Sequence, residues 1–406
     1  MRVAVLGAGL QGVCVALELA LHGIRVDLFD REQDALLGAS GHNEGKLHLG
    51  FVYAADDSLR TARLMMRAAA CFSSNIRRWV GSSLDSVPVS SPFYYIVHRD
   101  SLVSADQIRA HLEACRELAL EHPNPKGSGY FGSDFHSPSR ELTVPERDGL
   151  FDERTVRAAF LTPEISIDPK ALAAILRKQL RSVANIGLRL NTRVMAARPQ
   201  ERFVDVVFAQ AGVQAEERYD HVVNALWDGR LAIDETAGFL PERPWLWRMK
   251  HFLRIRVAEY SANIPSTTIV LGPFGDVVNY MTGEIYLSWY PDSCQDRSSD
   301  LKPPATWLPA TPQFSASLRV SMPQALSEIV PPLAQLPRTV LEGGEINGGI
   351  IFAFGKTDVD DPGSGLHQRW SIGVRSEGRY HSINTGKYTT APLFATEVAG
   401  RIRCHG

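Results

Sequence analysis

The chain has 406 residues, of which 44% are hydrophobic and 22% are charged. This composition is ordinary for a globular protein, and the length allows two or three domains of about 150 residues each. Lysine and arginine total 43, against 45 aspartate and glutamate residues, so the net charge is −2. That balance excludes a broad electrostatic surface for nucleic acid or anionic membranes, and it leaves room for a small basic pocket.

The cysteines, the N-terminus and the apolar runs exclude further classes. The five cysteines are widely spaced and form no CxxC pair, so we expect neither a disulfide framework nor a structural zinc site. Asp358, Asp360 and Asp361 lack the glycine and final glutamate of a calcium loop, so we predict a solvated turn and no metal site. The N-terminus has no signal-peptide pattern, and no apolar run reaches the roughly 18–20 residues of a membrane span. We therefore expect a soluble, cytoplasmic protein.

The first thirty residues predict a strand, a tight turn, a helix and a second strand. Residues 3–6 are wholly apolar, which is typical of a parallel strand covered on both faces. Residues 7–12 read Gly-Ala-Gly-Leu-Gln-Gly, the G-x-G-x-x-G spacing, and residues 13–22 carry apolar side chains at helical spacing. Residues 24–29 predict the second strand, which ends at Asp30.

Each position of this motif has a physical reason to bind a dinucleotide. Gly7 allows the tight turn, Gly9 lets a pyrophosphate approach the backbone, and Gly12 lets the helix pack close to the strand. The helix N-terminus offers free N–H groups and a partial positive charge to the phosphates. Asp30 lies where an acid accepts hydrogen bonds from both ribose hydroxyls. The motif alone does not separate NAD from FAD.

Further helices and strands are predicted along the rest of the chain. Residues 93–98 predict a strand rich in aromatic side chains, and residues 104–119 predict a helix with Ser104 as its N-cap. A second helix is predicted over 169–183. Short strands are predicted after it, at 186–190, 193–195, 204–209 and 221–225. A half-buried strand at 252–257 and further antiparallel strands are then predicted, at 269–271, 277–280 and 285–289.

Four segments resemble one family of flavoproteins. Residues 38–50 match the pattern S-x-x-N-x-x-x-(L/I)-H-x-G, with Ser40, Asn43, Leu47, His48 and Gly50 at the specified positions. This segment resembles the FAD-dependent D-amino-acid-oxidase superfamily, which includes glycine and D-amino-acid oxidases. Its local pattern is most similar to glycerol-3-phosphate dehydrogenases and L-2-hydroxyglutarate oxidases. The other similar segments follow in order, at 167–172, 219–225 and 384–392.

The resemblance implies an α/β fold, α+β overall, in which a Rossmann-like FAD-binding domain of the glutathione-reductase type carries an inserted antiparallel-sheet substrate domain. We expect the FAD-binding domain to be discontinuous, over residues 1–80, 150–235 and 340–406. Residues 81–149 and 236–339 are then expected to form the substrate domain. One departure stands out, because Leu226-Trp227-Asp228-Gly229 replaces the glycine that usually follows the N-A-A strand.

The resemblance also implies a set of contacts with FAD, which we expect to be bound noncovalently. Covalent attachment through His42 or His48 is the alternative. The expected cofactor-binding residues are Gly7, Gly9, Leu10, Gln11, Gly12, Asp30, Arg31, Ser40, Asn43, Lys46, Leu47, Val194, Asn224, Gly386, Lys387, Tyr388 and Thr389.

Two residues are candidates for the chemistry at the flavin. Lys387 lies in the turn within residues 384–392, which we call the C-terminal turn. A cation there stabilises the anionic reduced flavin ring; the alternative is a solvated surface lysine. His48 matches the histidine of the family pattern, and an imidazole accepts a proton near neutral pH. Its alternative role is to hydrogen-bond the loop backbone.

An arginine is expected to hold the anionic group of the substrate, because a guanidinium matches a carboxylate in bidentate geometry. Arg369 precedes the last predicted strand, as the carboxylate-binding arginine does in relatives, and Arg375 follows it closely. Tyr280 is a further candidate for the pocket. Arg254 and Arg256 share one strand face, where packing at the edge of the core is the alternative.

These observations predict an FAD-dependent oxidoreductase that oxidises a CH–NH or CH–OH bond of a small, polar, anionic metabolite: an amino acid, a hydroxy acid or a polyol phosphate. Hydride transfer to the flavin N5 is the expected step, with dioxygen or an electron carrier as the final acceptor. Two alternatives stay open: an NAD-dependent dehydrogenase, and a catalytically idle FAD-binding protein that serves as an assembly partner. The oligomeric state is not predicted.

Overall fold

The computed structural model describes residues 1–123, 130–241, 243–257, 259, 261–294 and 296–404. Within these ranges the helices are α1 (Leu10–Leu21), α2 (Arg60–Val80), α3 (Ala105–Leu120), α4 (Val144–Asp148), α5 (Pro169–Ser182), α6 (Arg230–Thr236), α7 (Tyr290–Ser293), α8 (Pro312–Ser327), α9 (Arg338–Glu342) and α10 (Ala391–Cys404).

The strands of the described ranges are β1 (Arg2–Leu6), β2 (Arg25–Phe29), β3 (Lys46–Leu47), β4 (Tyr94–His98), β5 (Arg140–Glu141), β6 (Val156–Leu161), β7 (Ile165–Ser166), β8 (Ile186–Arg189), β9 (Thr192–Pro199), β10 (Val204–Gln210), β11 (Val213–Tyr219), β12 (His221–Asn224), β13 (Trp245–Arg256), β14 (Thr267–Val270), β15 (Gly275–Asn279), β16 (Glu284–Trp289), β17 (Arg297–Ser298), β18 (Glu345–Phe354), β19 (Gly373–Glu377) and β20 (Tyr380–Asn384).

A six-stranded sheet contains both ends of the chain, in the order β19-β20-β12-β1-β2-β8. All neighbours are parallel except the edge pair β19 and β20. Val3 and Val5 of β1 pack into the core that includes α1, α2, α5 and α10, whereas Ala4 and Leu6 pack against the three-stranded sheet β11-β10-β9. The strand is therefore covered on both faces, as its apolar sequence predicts.

The predicted N-terminal turn is confirmed. Gly7 has φ +97°, a left-handed conformation that favours glycine, and α1 begins three residues later. A Cβ on Gly12 would lie 1.8 Å from the Gly7 carbonyl oxygen, so the helix approaches the strand at a distance that only glycine allows. The predicted cap at Ser104 also forms, since its hydroxyl accepts the Gln107 N–H, and the Asp168 carboxylate caps α5 by accepting the Lys170 N–H.

A nine-stranded sheet lies beside the first, in the order β17-β13-β16-β15-β14-β4-β6-β5, with β18 also paired to β13. It is antiparallel as expected, apart from the parallel pair β14 and β4. The expectation that residues 252–257 are half buried is wrong, because β13 is buried from Leu246 to Ile255. Leu253 and Ile255 pack in the cluster that includes α8, while Phe252 faces the core of the first sheet.

Two strands of the nine-stranded sheet lie outside the ranges predicted for the substrate domain. They are β6, in the range 150–235, and β18, in the range 340–406. Strands of one sheet share backbone hydrogen bonds and a core, so we propose boundaries that assign both strands to the substrate domain. No helix in the described ranges has the length and apolar character to cross a membrane.

Substituting two helical glycines tests the close approach of α1 to β1. Gly12→Ala is expected to destabilise the protein by at least about 2 kcal/mol, because the methyl group collides with the Gly7 carbonyl. Gly400→Ala in α10 is the control, since a Cβ there meets nothing within 4 Å; it is expected to stabilise by about 0.5–1 kcal/mol. Urea unfolding measures both. Equal effects of the two substitutions would contradict the packing described.

Candidate active site

The loop after β1 and the N-terminus of α1 form one end of the site. A Cβ on Gly7 would lie 2.7 Å from the carbonyl oxygen of Ala225, so this turn and the loop after β12 are in close backbone contact. Gly9 is the N-cap of α1 and provides no side-chain cap. The Ser40 hydroxyl instead accepts the Leu10 N–H at 2.7 Å. Ser40 therefore joins the loop of residues 38–50 to the helix end that is expected to face the phosphates.

Asp30 lies at the C-terminal end of β2, beside the same turn. Its carboxylate accepts the backbone N–H of Ala8 at 2.6 Å and of Glu32 at 2.9 Å. Burial raises the pKa of Asp30, and these two hydrogen bonds oppose that rise. A carboxylate has lone pairs beyond these two bonds, so Asp30 keeps the capacity to accept ribose hydroxyls. The neighbouring Arg31 donates to Asp228 at 2.8 Å.

These features fit a dinucleotide such as FAD. The strands β1, β2, β12 and β20 are parallel, so Gly7, Asp30, Asn224 and Asn384 all lie at one edge of the sheet. Both amide atoms of Asn384 are buried and have no hydrogen-bond partner within the described residues. A polar group of a bound cofactor would satisfy an amide in this position. The residues expected to hold FAD are therefore the α1 N-terminus, Asp30 and the C-terminal turn that follows Asn384.

Several predicted cofactor residues instead bond to other parts of the chain. Gln11 donates to the Ala391 carbonyl and accepts from Thr385, which ties α1 to the C-terminal turn. The Asn43 amide donates to the carbonyls of Ala39 and Ser40 and shapes the loop. These side chains therefore support the shape of the site, and their contact with the cofactor stays a prediction.

The Asn224 amide is engaged in the same way. It donates to the Arg230 carbonyl, Asp234 and Tyr380, and it accepts the Leu226 N–H. The segment that departs from the family pattern follows it. There Trp227 has φ +54°, and its indole N–H donates to the Ile350 carbonyl at 2.8 Å.

The remaining predicted cofactor residues are packed in the core or belong to the C-terminal turn. Leu47 is fully buried, Val194 packs against the core beside β2, and Tyr388 stacks on Phe72. Gly386 has φ +64°. Thr389 donates to the Lys46 carbonyl and accepts the His48 N–H, so the C-terminal turn is bonded directly to β3.

A cavity of about 110 Å³ lies between β3, the nine-stranded sheet and the C-terminal turn. It brings together the three residues predicted to be catalytic: His48, Arg369 and Lys387. The other lining residues are Glu44, Lys46, Val52, Tyr53, Arg248, Thr268, Ile269, Leu271, Gly272, Phe274, Gly275, Asp276, Tyr290, Val359, Leu366 and His367.

Two cations of this cavity form ion pairs. Lys46, predicted to bind the cofactor, donates to Asp276 and Thr268. Arg248 donates to Asp358 at 2.7 Å. A buried charge is stable when it is paired in this way, so Lys46 and Arg248 are compensated within the protein.

Arg369 is buried and Lys387 is half-buried, and neither cation has an ion pair among the described residues. One Arg369 nitrogen donates to the Phe352 carbonyl at 2.8 Å. Burial, and then the neighbouring Arg248, lowers the pKa of Arg369 to about 10. Burial, and then Arg369, lowers the pKa of Lys387 to about 7. The cavity therefore holds positive charge that an anionic ligand would stabilise.

His48 also faces this cavity, and its ring makes no hydrogen bond within the described residues. Its Nδ1 is buried without a partner, and its backbone N–H donates to Thr389 at 2.9 Å. Burial and the nearby cations Lys387 and Lys46 lower the pKa of His48 well below its usual value. The imidazole is therefore neutral at neutral pH, the form in which it can accept a proton.

The other arginine and tyrosine candidates lie away from the cavity. Arg375 is exposed on the edge strand β19, where it donates to the Leu240 carbonyl and packs over Phe239. The buried Tyr280 donates to the Glu44 carbonyl at 3.0 Å. Neither residue lines the cavity, so the expectation that they bind substrate is not supported.

Arg254 and Arg256 belong to ion pairs on β13. Arg254 pairs with Asp168 and Glu284, and the exposed Arg256 pairs with Glu284. These contacts match the packing role left open by the sequence.

Sequence reasoning missed several residues of the cavity. Glu44 and Tyr53 lie within or next to the motif of residues 38–50, so proximity to His48 was an available signal. The others come from the nine-stranded sheet and the short helix after it: Arg248 lies on β13, Asp276 on β15, and Tyr290 begins α7. They reach the cavity through long-range pairing, which local patterns do not report.

The comparisons with known proteins agree with this geometry. The family model described as DAO, FAD dependent oxidoreductase, matches residues 2–293. The chain belongs to this family and is an FAD-dependent oxidoreductase. The NAD-dependent alternative is therefore wrong. No curated protein matches the sequence.

Solved structures share the fold at low sequence identity. Glycine oxidase from Geobacillus kaustophilus has a TM-score of 0.70 at 15% identity, covering 100% of this chain and 95% of its own. L-proline dehydrogenase from P. horikoshii has a TM-score of 0.66 at 16% identity, with coverage of 99% and 92%. L-α-glycerophosphate oxidase from Mycoplasma pneumoniae has a TM-score of 0.66 at 13% identity, with coverage of 99% and 94%.

Removing the Asp30 carboxylate is expected to weaken FAD retention. Asp30→Ala removes a charged acceptor for ribose hydroxyls, a loss of roughly 1.5–3 kcal/mol. The flavin content after dialysis measures the effect. Asp34→Ala, which removes a nearby carboxylate paired with Arg181, is the control and should retain flavin. Equal flavin content in the two variants would count against the adenosine assignment.

The depressed pKa of Lys387 predicts how the stability of the flavin-free protein depends on pH. Between about pH 7 and 10.5 the unfolded chain holds a proton on this lysine that the folded chain has lost, so this lysine makes stability rise with pH across that window. The contribution is at most about 1.4 kcal/mol per pH unit. Lys387→Met should remove it. Parallel stability curves for the two proteins would show that Lys387 titrates normally.

Proposed function

We propose that this enzyme oxidises the CH–NH bond of a small amino acid that carries a free carboxylate. The observation that supports this most strongly is a pair of cations without ion pairs among the described residues, the buried Arg369 and the half-buried Lys387, which line a cavity of about 110 Å³. The small volume suits a small metabolite. The unpaired charge suits an anion, since a buried cation without a partner is strongly unfavourable.

The charges around the cavity match one substrate carboxylate and one further negative charge. Four lining residues are cations, Lys46, Arg248, Arg369 and Lys387, whereas two are carboxylates, Glu44 and Asp276. A substrate carboxylate would compensate one excess charge. The anionic reduced flavin would compensate the other, which is the role we propose for Lys387.

Arg369 is proposed to hold the substrate carboxylate. It is 6% exposed and its backbone N–H is fixed to the Thr61 hydroxyl at 2.9 Å, so its position is well defined. With one nitrogen on Phe352, the guanidinium has further N–H groups to offer. A planar guanidinium binds a carboxylate in bidentate geometry, which would fix the orientation of the substrate.

His48 is proposed to accept a proton from the substrate amine. An ammonium group must lose a proton before its carbon can release a hydride, and the neutral His48 imidazole lines the cavity where this would happen. When bound, the noncovalent FAD supplies the hydride acceptor. Dioxygen or an electron carrier would then take the electrons.

A hydroxy acid or a polyol phosphate is the second candidate substrate. His48 favours it, because an alcohol also needs a base for its hydroxyl proton. Of the three solved structures reported above, one is named for glycerophosphate, whereas the other two are named for glycine and L-proline. Arg369 suits the carboxylate of an amino acid and of a hydroxy acid alike, and we place the amino acid first because glycine oxidase and L-proline dehydrogenase share the fold.

An anaerobic screen tests the proposal. The flavin-loaded protein is mixed with single amino acids, hydroxy acids and polyol phosphates, and bleaching of the flavin band at about 450 nm is recorded. We expect bleaching by at least one small amino acid. Bleaching by an alcohol alone would select the second candidate. No bleaching by any compound would contradict the proposal.

Substitutions of Arg369 test the carboxylate clamp. Arg369→Lys should slow flavin reduction nearly as much as Arg369→Ala, because lysine keeps the charge but loses the planar fork. Breaking a buried charged pair costs on the order of 2–5 kcal/mol, or roughly thirty- to several-thousand-fold. Flavin content should stay normal.

The same changes at Arg375, on the exposed strand β19, are the matched control and should leave flavin reduction within about twofold, since surface substitutions have small effects. A large loss at Arg375 with normal kinetics at Arg369 would move the clamp to β19. Normal kinetics at both positions would indicate a neutral substrate.

A further inference from the structure

A fully buried carboxylate lies behind His48. Glu164, between β6 and β7, is 0% exposed and does not line the cavity. One carboxylate oxygen accepts the hydroxyl of Tyr95, and the other accepts the Leu49 N–H at 2.7 Å. Burial raises the pKa of Glu164, and Lys46 and the hydrogen bonds from Tyr95 and Leu49 oppose that rise. Because both oxygens accept hydrogen bonds from donors, this arrangement suits the ionised carboxylate.

The same carboxylate is directed at the unpartnered atom of His48. Glu164 Oε1 lies 3.9 Å from His48 Nδ1, the buried nitrogen that has no hydrogen-bond partner among the described residues. A movement of about 1 Å would bring these atoms to hydrogen-bond distance. Hydrogen bonds of catalytic groups are often long in unliganded proteins and shorten when substrate binds.

The other charged groups near His48 cannot take this role. Lys46, Lys250 and Lys387 offer only donors, and their charges disfavour a protonated imidazole. Glu44 is paired with Lys250 at 3.2 Å. Of the carboxylates in the described ranges, only Glu164 lies within 4.0 Å of a His48 ring nitrogen.

We propose that Glu164 is a positioning residue, which holds the His48 proton on Nδ1 and so leaves Nε2 as the base that faces the substrate. This inference rests on the proposed function, because His48, which Glu164 would position, is the proton acceptor proposed there. A fixed tautomer matters, since only the unprotonated nitrogen can accept a proton and the ring has two nitrogens to choose from.

The proton and electron balance is complete within the proposed reaction. The substrate N–H or O–H bond breaks, its proton moves to His48 Nε2, and the hydride leaves carbon for the flavin. His48 becomes an imidazolium, whose Nδ1–H points to the Glu164 carboxylate. Glu164 stays ionised throughout and stabilises the positive ring that forms between Lys46 and Lys387. An ammonium substrate that loses one proton and one hydride leaves as the iminium cation, and an alcohol leaves as the neutral carbonyl compound.

The tautomer of His48 tests this without any substrate. Protein labelled with ¹⁵N-histidine and loaded with FAD is examined by NMR, and the His48 ring signals are assigned by their loss in His48→Gln. We expect the Nδ1–H tautomer in the wild type, and a loss of that preference in Glu164→Gln. A wild-type ring protonated on Nε2 would overturn the proposal, whatever the substrate screen finds.

Kinetics supply the second measurement, with an amino acid or alcohol that bleaches the flavin in the screen. Glu164→Gln should slow anaerobic flavin reduction by about 10²-fold, the lower end of what a general base contributes. Substrate affinity should change by less than about threefold, because Arg369 is intact. Lost affinity with an unchanged reduction rate would indicate a structural role only and overturn the proposal.

Two further variants keep the test decisive. Glu18→Gln neutralises another buried carboxylate, which bonds Trp79 and Arg78 on α2, and it should leave the His48 tautomer and the reduction rate unchanged. If Glu164→Gln does not fold, Glu164→Asp keeps the charge and should keep the Nδ1–H tautomer with a smaller loss of rate. An Nε2–H tautomer in Glu164→Asp together with a normal rate would contradict the proposed role.

Discussion

The site depends on an imbalance of buried charge. Lys46 and Arg248 have carboxylate partners, whereas Arg369 and Lys387 share one cavity without any among the described residues. Burying an uncompensated cation is costly: burial and Arg248 lower the pKa of Arg369, and burial and Arg369 lower the pKa of Lys387. We propose that an anionic ligand supplies the missing negative charge in this cavity.

The fold positions these cations by bringing distant segments to one place. The parallel pairing of β20 with β12 places the start of the C-terminal turn at the sheet edge where Gly7 and Asp30 also lie. Gln11 and Thr389 then bond that turn to α1 and β3. Arg369 enters from the segment between β18 and β19. Arg369 is held there by hydrogen bonds to the Thr61 hydroxyl and the Phe352 carbonyl.

Much of the cofactor end could be predicted from the sequence, because its signals are local. The glycine spacing and the acid at Asp30 each reflect a constraint within one strand-turn-helix unit. The membership of β6 and β18 in the second sheet could not be predicted, since strand pairing depends on contacts far along the chain. The engaged amide of Asn224 and the Glu164–His48 contact were missed for the same reason: a motif shows which residue is present, not what its side chain contacts.

Proton uptake on carboxylate binding tests the charge imbalance most directly. Flavin-loaded protein is titrated calorimetrically with acetate at about pH 8, in two buffers of different ionisation enthalpy. A carboxylate beside Lys387 should raise its pKa, so binding should take up protons and the heat should depend on the buffer. Arg369→Ala should abolish the binding. Acetate binding with no proton uptake, or equal binding by the wild type and Arg369→Ala, would contradict an anion site built on these two cations.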